Sequence, residues 1–170
     1  MNVRMRLPRE LYDRVRADLR RPHPFAAERV GFMFAKLGNA ATNDPLVLFT
    51  DYSSLADDRY INDPYSGARI DGAAIRGAMQ EVIDRRQGVF HVHIHEFPGR
   101  PWFSWMDREE LPRLIPSFQA VGPAYPHGLF LMSEDECTAE VWMPGSKQPI
   151  EPAQITLVGY PMQIFDGVTP

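Results

Sequence analysis

Apolar positions along the chain change period several times, and each change marks an element. In "LPRELYDRVRADLRR" Leu11, Val15 and Leu19 recur at i, i+4 and i+8 behind Pro8, which suits a first helical turn. The spacing predicts an amphipathic helix with a basic outer face, after a short strand-like start. "HPFAAERVGFMFAKL" then runs into Val30, Phe32 and Phe34, and "PLVLFTDY" repeats the pattern from Leu46 to Tyr52, so two strands joined through "GNAATND" read as a hairpin. Residues 53–72, rich in Asp, Ser and Gly and without a helical period, predict an exposed loop or insertion of a length that is often functional. From Ala73 the apolar positions Ile75, Met79, Val82 and Ile83 return to helical spacing, closing at "RRQG", where Arg85, Arg86 and then Gly88 suit a helix C-terminus.

A strand, "VFHVHIH", follows directly. Beyond it Pro112 and Pro116 should break a helical stretch into short pieces, and "GLFLMS", "TAEVWM" and "QITLVGY" read as later strands. Strands and helices mixed without regular βα alternation predict an α+β domain. The 170 residues suit one domain with a full core, 1–170, and show no internal repeat.

Composition narrows the function classes. With 44% hydrophobic residues, 24% charged residues and three Trp, the chain has enough apolar side chains to offset its conformational entropy. A formal charge of -4 leaves no basic footprint for a phosphate backbone, so nucleic acid is not an expected partner. The single Cys137 makes no internal disulfide, the charged start "MNVRMRLPRELYDRV" lacks the apolar core of a signal peptide, and no apolar run approaches a bilayer span. A cytoplasmic protein without a membrane partner is expected.

The chemistry concentrates in "HVHIHEFPGRPWFSWMD", residues 91–107. On a strand, His91, His93 and His95 share one face, with Val92 and Ile94 on the other. Imidazoles suit zinc, and a catalytic zinc typically takes three protein ligands, which makes a carboxylate the missing partner. Asp107 is the candidate, because a helix starting at Ser104 carries it one turn in and aims it back at the strand end. Ser104-Trp105-Met106-Asp107 also fits the [ST]-x-x-[DE] capping box, which alone marks only a helix start. Three histidines on one strand face are costly to bury unpaired, and that shifts the balance to metal.

These residues resemble the JAMM (JAB/MPN) zinc metalloprotease family, whose motif is an upstream Glu, then His-x-His, about seven residues, and Ser-x-x-Asp. "HIH" is His93-Ile94-His95 and "SWMD" supplies Ser104 and Asp107; "AAERVGFMFA" offers Glu28 before a Gly-containing apolar strand. Two departures are visible: eight residues separate His95 from Ser104, and Glu96 stands where a proline usually follows the second histidine. Reading "HVH" as the His-x-His instead stretches that gap to ten residues.

The resemblance implies an MPN/JAB (cytidine deaminase-like) domain, a central mixed β-sheet flanked by helices. It implies zinc on His93, His95 and Asp107, Glu28 as general base and Ser104 as oxyanion donor. His91 is expected in a supporting or structural role, and His23 and His127 as turn residues. Trp102, Phe103 and Trp105 pack under the loop or wall a substrate tail; both readings are open. Family members cleave after the C-terminal glycine of ubiquitin or ubiquitin-like proteins, and the chain looks most similar to stand-alone bacterial members. Those occur with E1-like, E2-like and ubiquitin-like partners in antiphage operons of the Bil and CBASS types. The resemblance therefore implies deconjugation or precursor processing of a ubiquitin-like protein. A non-catalytic MPN scaffold and a zinc hydrolase of small peptides or sulfur-carrier precursors are the alternatives.

Overall fold

The structure is a computed structural model that describes residues 1–22, 24, 26–63 and 67–167. Its strands are β1 (Arg4–Pro8), β2 (Val30–Gly38), β3 (Leu46–Ser54), β4 (Gly88–Ile94), β5 (His127–Met132), β6 (Cys137–Trp142), β7 (Gln154–Val158) and β8 (Gln163–Asp166). They form one sheet in the order β6-β5-β4-β2-β3-β1-β7-β8. The helices are α1 (Arg9–Leu19), α2 (Gly72–Arg85), α3 (Trp105–Glu110) and α4 (Ile115–Val121).

Most local patterns form what their periodicity predicts. Helix α1 buries Leu11, Tyr12, Val15 and Leu19, and β2 and β3 pair antiparallel as a hairpin. The prolines act as expected, since a 3₁₀ turn over Leu111–Leu114 separates α3 from α4. Helix α2 differs in detail. It buries Ala74, Ala78 and Val82, while Ile83 is half exposed, because it follows Val82 directly and is turned about 100° round the helix from the buried stripe. Its left-handed cap is Arg86, at φ 54°. Gly88 instead opens β4, where a Cβ would lie 1.7 Å from the Pro126 carbonyl oxygen, so the close approach of backbones fixes glycine there.

The expected domain, a central sheet flanked by helices, is corrected by the structure. The sheet is mixed, nearly closed and barrel-like, and among the described residues helices hold 28% against 33% in strands. The closure comes from the chain's end. β7 runs parallel to β1 with Met5 opposite Ile155, and β8 folds back on β7, so the sheet curls over its own apolar face. That face, with Met33, Phe90, Val92, Phe130 and Leu157, packs around α1. Among the described residues a second cluster covers the outer face over β2, β4, β5 and the end of β6, where Phe32, Phe34, Leu129, Leu131 and Trp142 meet α2 and α4 through Ala78, Val82 and Phe118. Among the described residues no helix is long and apolar enough to cross a membrane.

Candidate metal centre

β4 is buried along its whole length, and His95 follows its last residue with its N–H still donating to the Met132 carbonyl at 2.9 Å. All three imidazoles therefore stack along one face, with ring centroids 5.6 Å apart for His91 and His93 and 5.0 Å for His93 and His95. Strand β2 lies antiparallel beside β4 with Val30 opposite His93. Extending that register by two positions brings Glu28 level with His95. Glu28, His93 and His95 offer ligand atoms all within 4.8 Å of one another, which is a group able to hold a metal ion.

Asp107 approaches from the other direction. Ser104 caps α3: its Oγ accepts from the Asp107 N–H at 3.1 Å, and Asp107 Oδ2 accepts from the Ser104 N–H at 2.7 Å. The same carboxylate sets Oδ1 3.3 Å from His93 Nε2 and Oδ2 3.5 Å from His95 Nε2. Capping box and acidic partner of the histidines are one feature rather than competing readings of "SWMD".

The donor set fits a cation. His93 is 1% exposed, and neither of its ring nitrogens meets hydrogen-bond geometry among the described residues, though Asp107 Oδ1 lies 3.3 Å from Nε2. A buried imidazole left in that state costs free energy that a metal bond would recover. Burial and the neighbouring His93 lower the pKa of His95, with Asp107 and the Trp102 backbone acting against them by favouring its protonated ring, so it is kept neutral and ready to donate a lone pair.

Charge is arranged unevenly between the two acids. Burial raises the pKa of Glu28 above the ordinary carboxylate value, opposed by His93 and by the Ala68 N–H. For Asp107 burial acts in the same direction but is outweighed by His93 and the Ser104 N–H, which hold its carboxyl well below the usual range. One acid is thus held as an anion, and the other is the better proton acceptor of the two. His91 lies outside the ligand group; it sits edge-on to Phe32 at 6.0 Å, and burial pushes its pKa down to about 3.

Two clefts meet at Glu28. One of about 570 Å³ is lined by His93 and Asp107 together with Ile61, Ile70, Met106 and Leu114. The other, about 550 Å³, opens on His95 beside Arg20 and Arg21. The aromatic residues around Ser104 divide: Phe103 is buried in the outer core, while Trp102 and Trp105 are exposed at 63% and 79%, and only Trp105 lines the larger cleft.

Several residues that build the site carry no signal in their own sequence context. The Tyr60 hydroxyl accepts from the Val30 N–H at 3.0 Å and donates to the Val30 carbonyl at 3.1 Å, pinning the head of β2. Buried Arg29 reaches the Arg21 carbonyl and Asp57 at 2.6 and 2.7 Å. Only the length of the 53–72 segment pointed toward Tyr60. His127 is not a turn residue: it opens β5, is fully buried, accepts from the Val89 N–H at 3.3 Å and contacts the Gly122 carbonyl at 2.8 Å. His23 lies outside the described residues, as do residues 64–66 of the long segment.

No protein-family profile matches the chain, and no curated protein matches it either.

Proposed function

We propose that the protein is a zinc-dependent peptidase or isopeptidase of JAMM type. It cleaves after the C-terminal glycine of a ubiquitin-like protein, in deconjugation or precursor processing. The observation that carries this reading is the convergence of His93 and His95 with two acids of opposite character, Glu28 and Asp107, at the meeting of two clefts. The reading rests on the site, because the barrel-like sheet departs from the domain that the motif implied and a fold alone does not assign chemistry.

His93, His95 and Asp107 are the proposed zinc ligands, and zinc held there would polarise a scissile carbonyl and make water a stronger nucleophile near neutral pH. Glu28 takes a proton from the attacking water as the new C–O bond forms and returns it to the amine as the C–N bond breaks. Ser104 uses its Oγ lone pair to accept from the Asp107 N–H, which leaves its hydroxyl hydrogen to donate to the carbonyl oxygen as negative charge develops. The natural partner would be a ubiquitin-like protein and its conjugates, with E1-like and E2-like proteins of the same bacterial antiphage operon.

The test is metal analysis with cleavage of a ubiquitin-like protein fused through its C-terminal glycine to a reporter. The expected result is about one zinc per chain and cleavage after that glycine, abolished by chelator. Glu28→Gln should keep the metal and lose turnover. Zinc without cleavage of the fusion, but with hydrolysis of short peptides, would transfer the site to small substrates. Absence of zinc would leave a scaffold.

A further inference from the structure

Residues 59–61 and 67–71, between β3 and α2, close on the site. Tyr60 and Ile70 form an isolated antiparallel bridge, flanked by Ile61 N–H to the Arg69 carbonyl at 2.8 Å and Asp71 N–H to the Arg59 carbonyl at 2.9 Å. This short ladder directs Gly67 and Ala68 back onto the residues that precede β2. There the Ala27 N–H donates to the Gly67 carbonyl at 3.3 Å, and the Ala68 backbone N–H favours the charged form of the Glu28 carboxylate. A Cβ on Gly67 would stand 2.6 Å from Glu28 Oε1.

We propose that Gly67 and Ala68 are positioning residues for Glu28, one by leaving room for its carboxylate and the other by donating a backbone hydrogen bond to it. The role rests on the hydrolase reading in which Glu28 transfers the proton. Orientation matters for that step, because a carboxylate displaced by about 1 Å loses on the order of a hundredfold in rate. Gly67, Ala68, Ile61 and Ile70 also line the larger cleft together with Glu28.

Two variants reach Glu28 by different routes: Gly67→Ala crowds the carboxylate and Ala68→Pro removes the donor. Each should lower kcat on the order of a hundredfold with KM and zinc content unchanged, while Asn62→Ala on the same segment should change none of the three. Glu28→Asp withdraws the carboxylate by one methylene, so adding Gly67→Ala to it should cost little more; a merely structural role would multiply the two losses. A second readout needs no activity. In the metal-free protein, hydrogen exchange at the Ala68 amide should accelerate about tenfold on Glu28→Ala, as expected when one hydrogen bond is lost. Unchanged exchange would overturn the placement. Full kcat in Gly67→Ala and Ala68→Pro would overturn the role even in an active hydrolase. A protein without hydrolase activity but with Glu28-dependent exchange would retain the placement and refute the function proposed above.

Discussion

Ser104 and Asp107 share a capping box and flank the histidines, so substitutions can separate what the helix needs from what the metal needs. Ser104→Ala removes the acceptor for the Asp107 N–H and costs about 1 kcal/mol. In a chain of this size that lowers Tm by roughly 2–4 °C. Asp107→Ala removes the acceptor for the Ser104 N–H and should cost a similar amount in the metal-free protein. Asp107→Asn keeps an oxygen for that N–H but loses the charge that faces His93 and His95 at 3.3 and 3.5 Å, so most of the cap should survive. Zinc reverses the ranking. At a thousandfold excess over Kd it should stabilise the unsubstituted protein by about 4 kcal/mol, on the order of 10 °C in Tm, and Ser104→Ala by nearly as much. Both Asp107 variants should show little of that gain. Calorimetric melts with chelator and with zinc give all eight values. If Asp107→Asn keeps the full zinc-dependent shift, Asp107 is not a ligand; if Ser104→Ala loses it, the hydroxyl holds the site and not only the helix.

Three further perturbations test the scaffold. Gly88→Ala forces a methyl group against the Pro126 backbone and should cost about 3 kcal/mol or more in urea unfolding; a loss below about 1 kcal/mol would refute the close approach of β4 to the chain before β5. Tyr60→Phe removes both hydrogen bonds to Val30 and should cost about 1–3 kcal/mol, checked by the same titration, and unchanged stability would sink the clamp. Burial lowers the pKa of His127, with the Gly122 carbonyl opposing it. Its contribution to stability is therefore complete above the unfolded value of about 6.5 and is lost as pH falls below that toward the folded value, where the unfolded chain binds the extra proton. His127→Gln should flatten unfolding free energy against pH in that window, and an unchanged slope would refute the assignment.

What the sequence made legible is what neighbouring residues decide. Alternation alone placed His91, His93 and His95 on one face, since a strand permits nothing else, and the spacing of Ser104 and Asp107 located a helix start because capping is a contact three residues long. Glu28 was reached only through the family motif, which singled it out from the other acids. The structure adds that Glu28 stands within ligand distance of His93 and His95, where the motif had given it a proton-transfer role alone. The barrel-like closure was beyond reach for a different reason. It depends on β1, at the start of the chain, lying between β3 and β7, and "QITLVGY" reads the same whether it pairs with Arg4–Pro8 or extends the opposite edge beside β6. Strand composition records which face is apolar and not which strand is the neighbour. The same limit hid Gly67 and His127. Each is defined by what a distant segment presents to it, the Glu28 carboxylate in one case and the Val89 N–H in the other. The residues most telling for the site are therefore those whose partners lie far along the chain, and substitutions at Gly67, Ala68 and Tyr60 probe the proposed chemistry in ways that further changes to the histidines cannot.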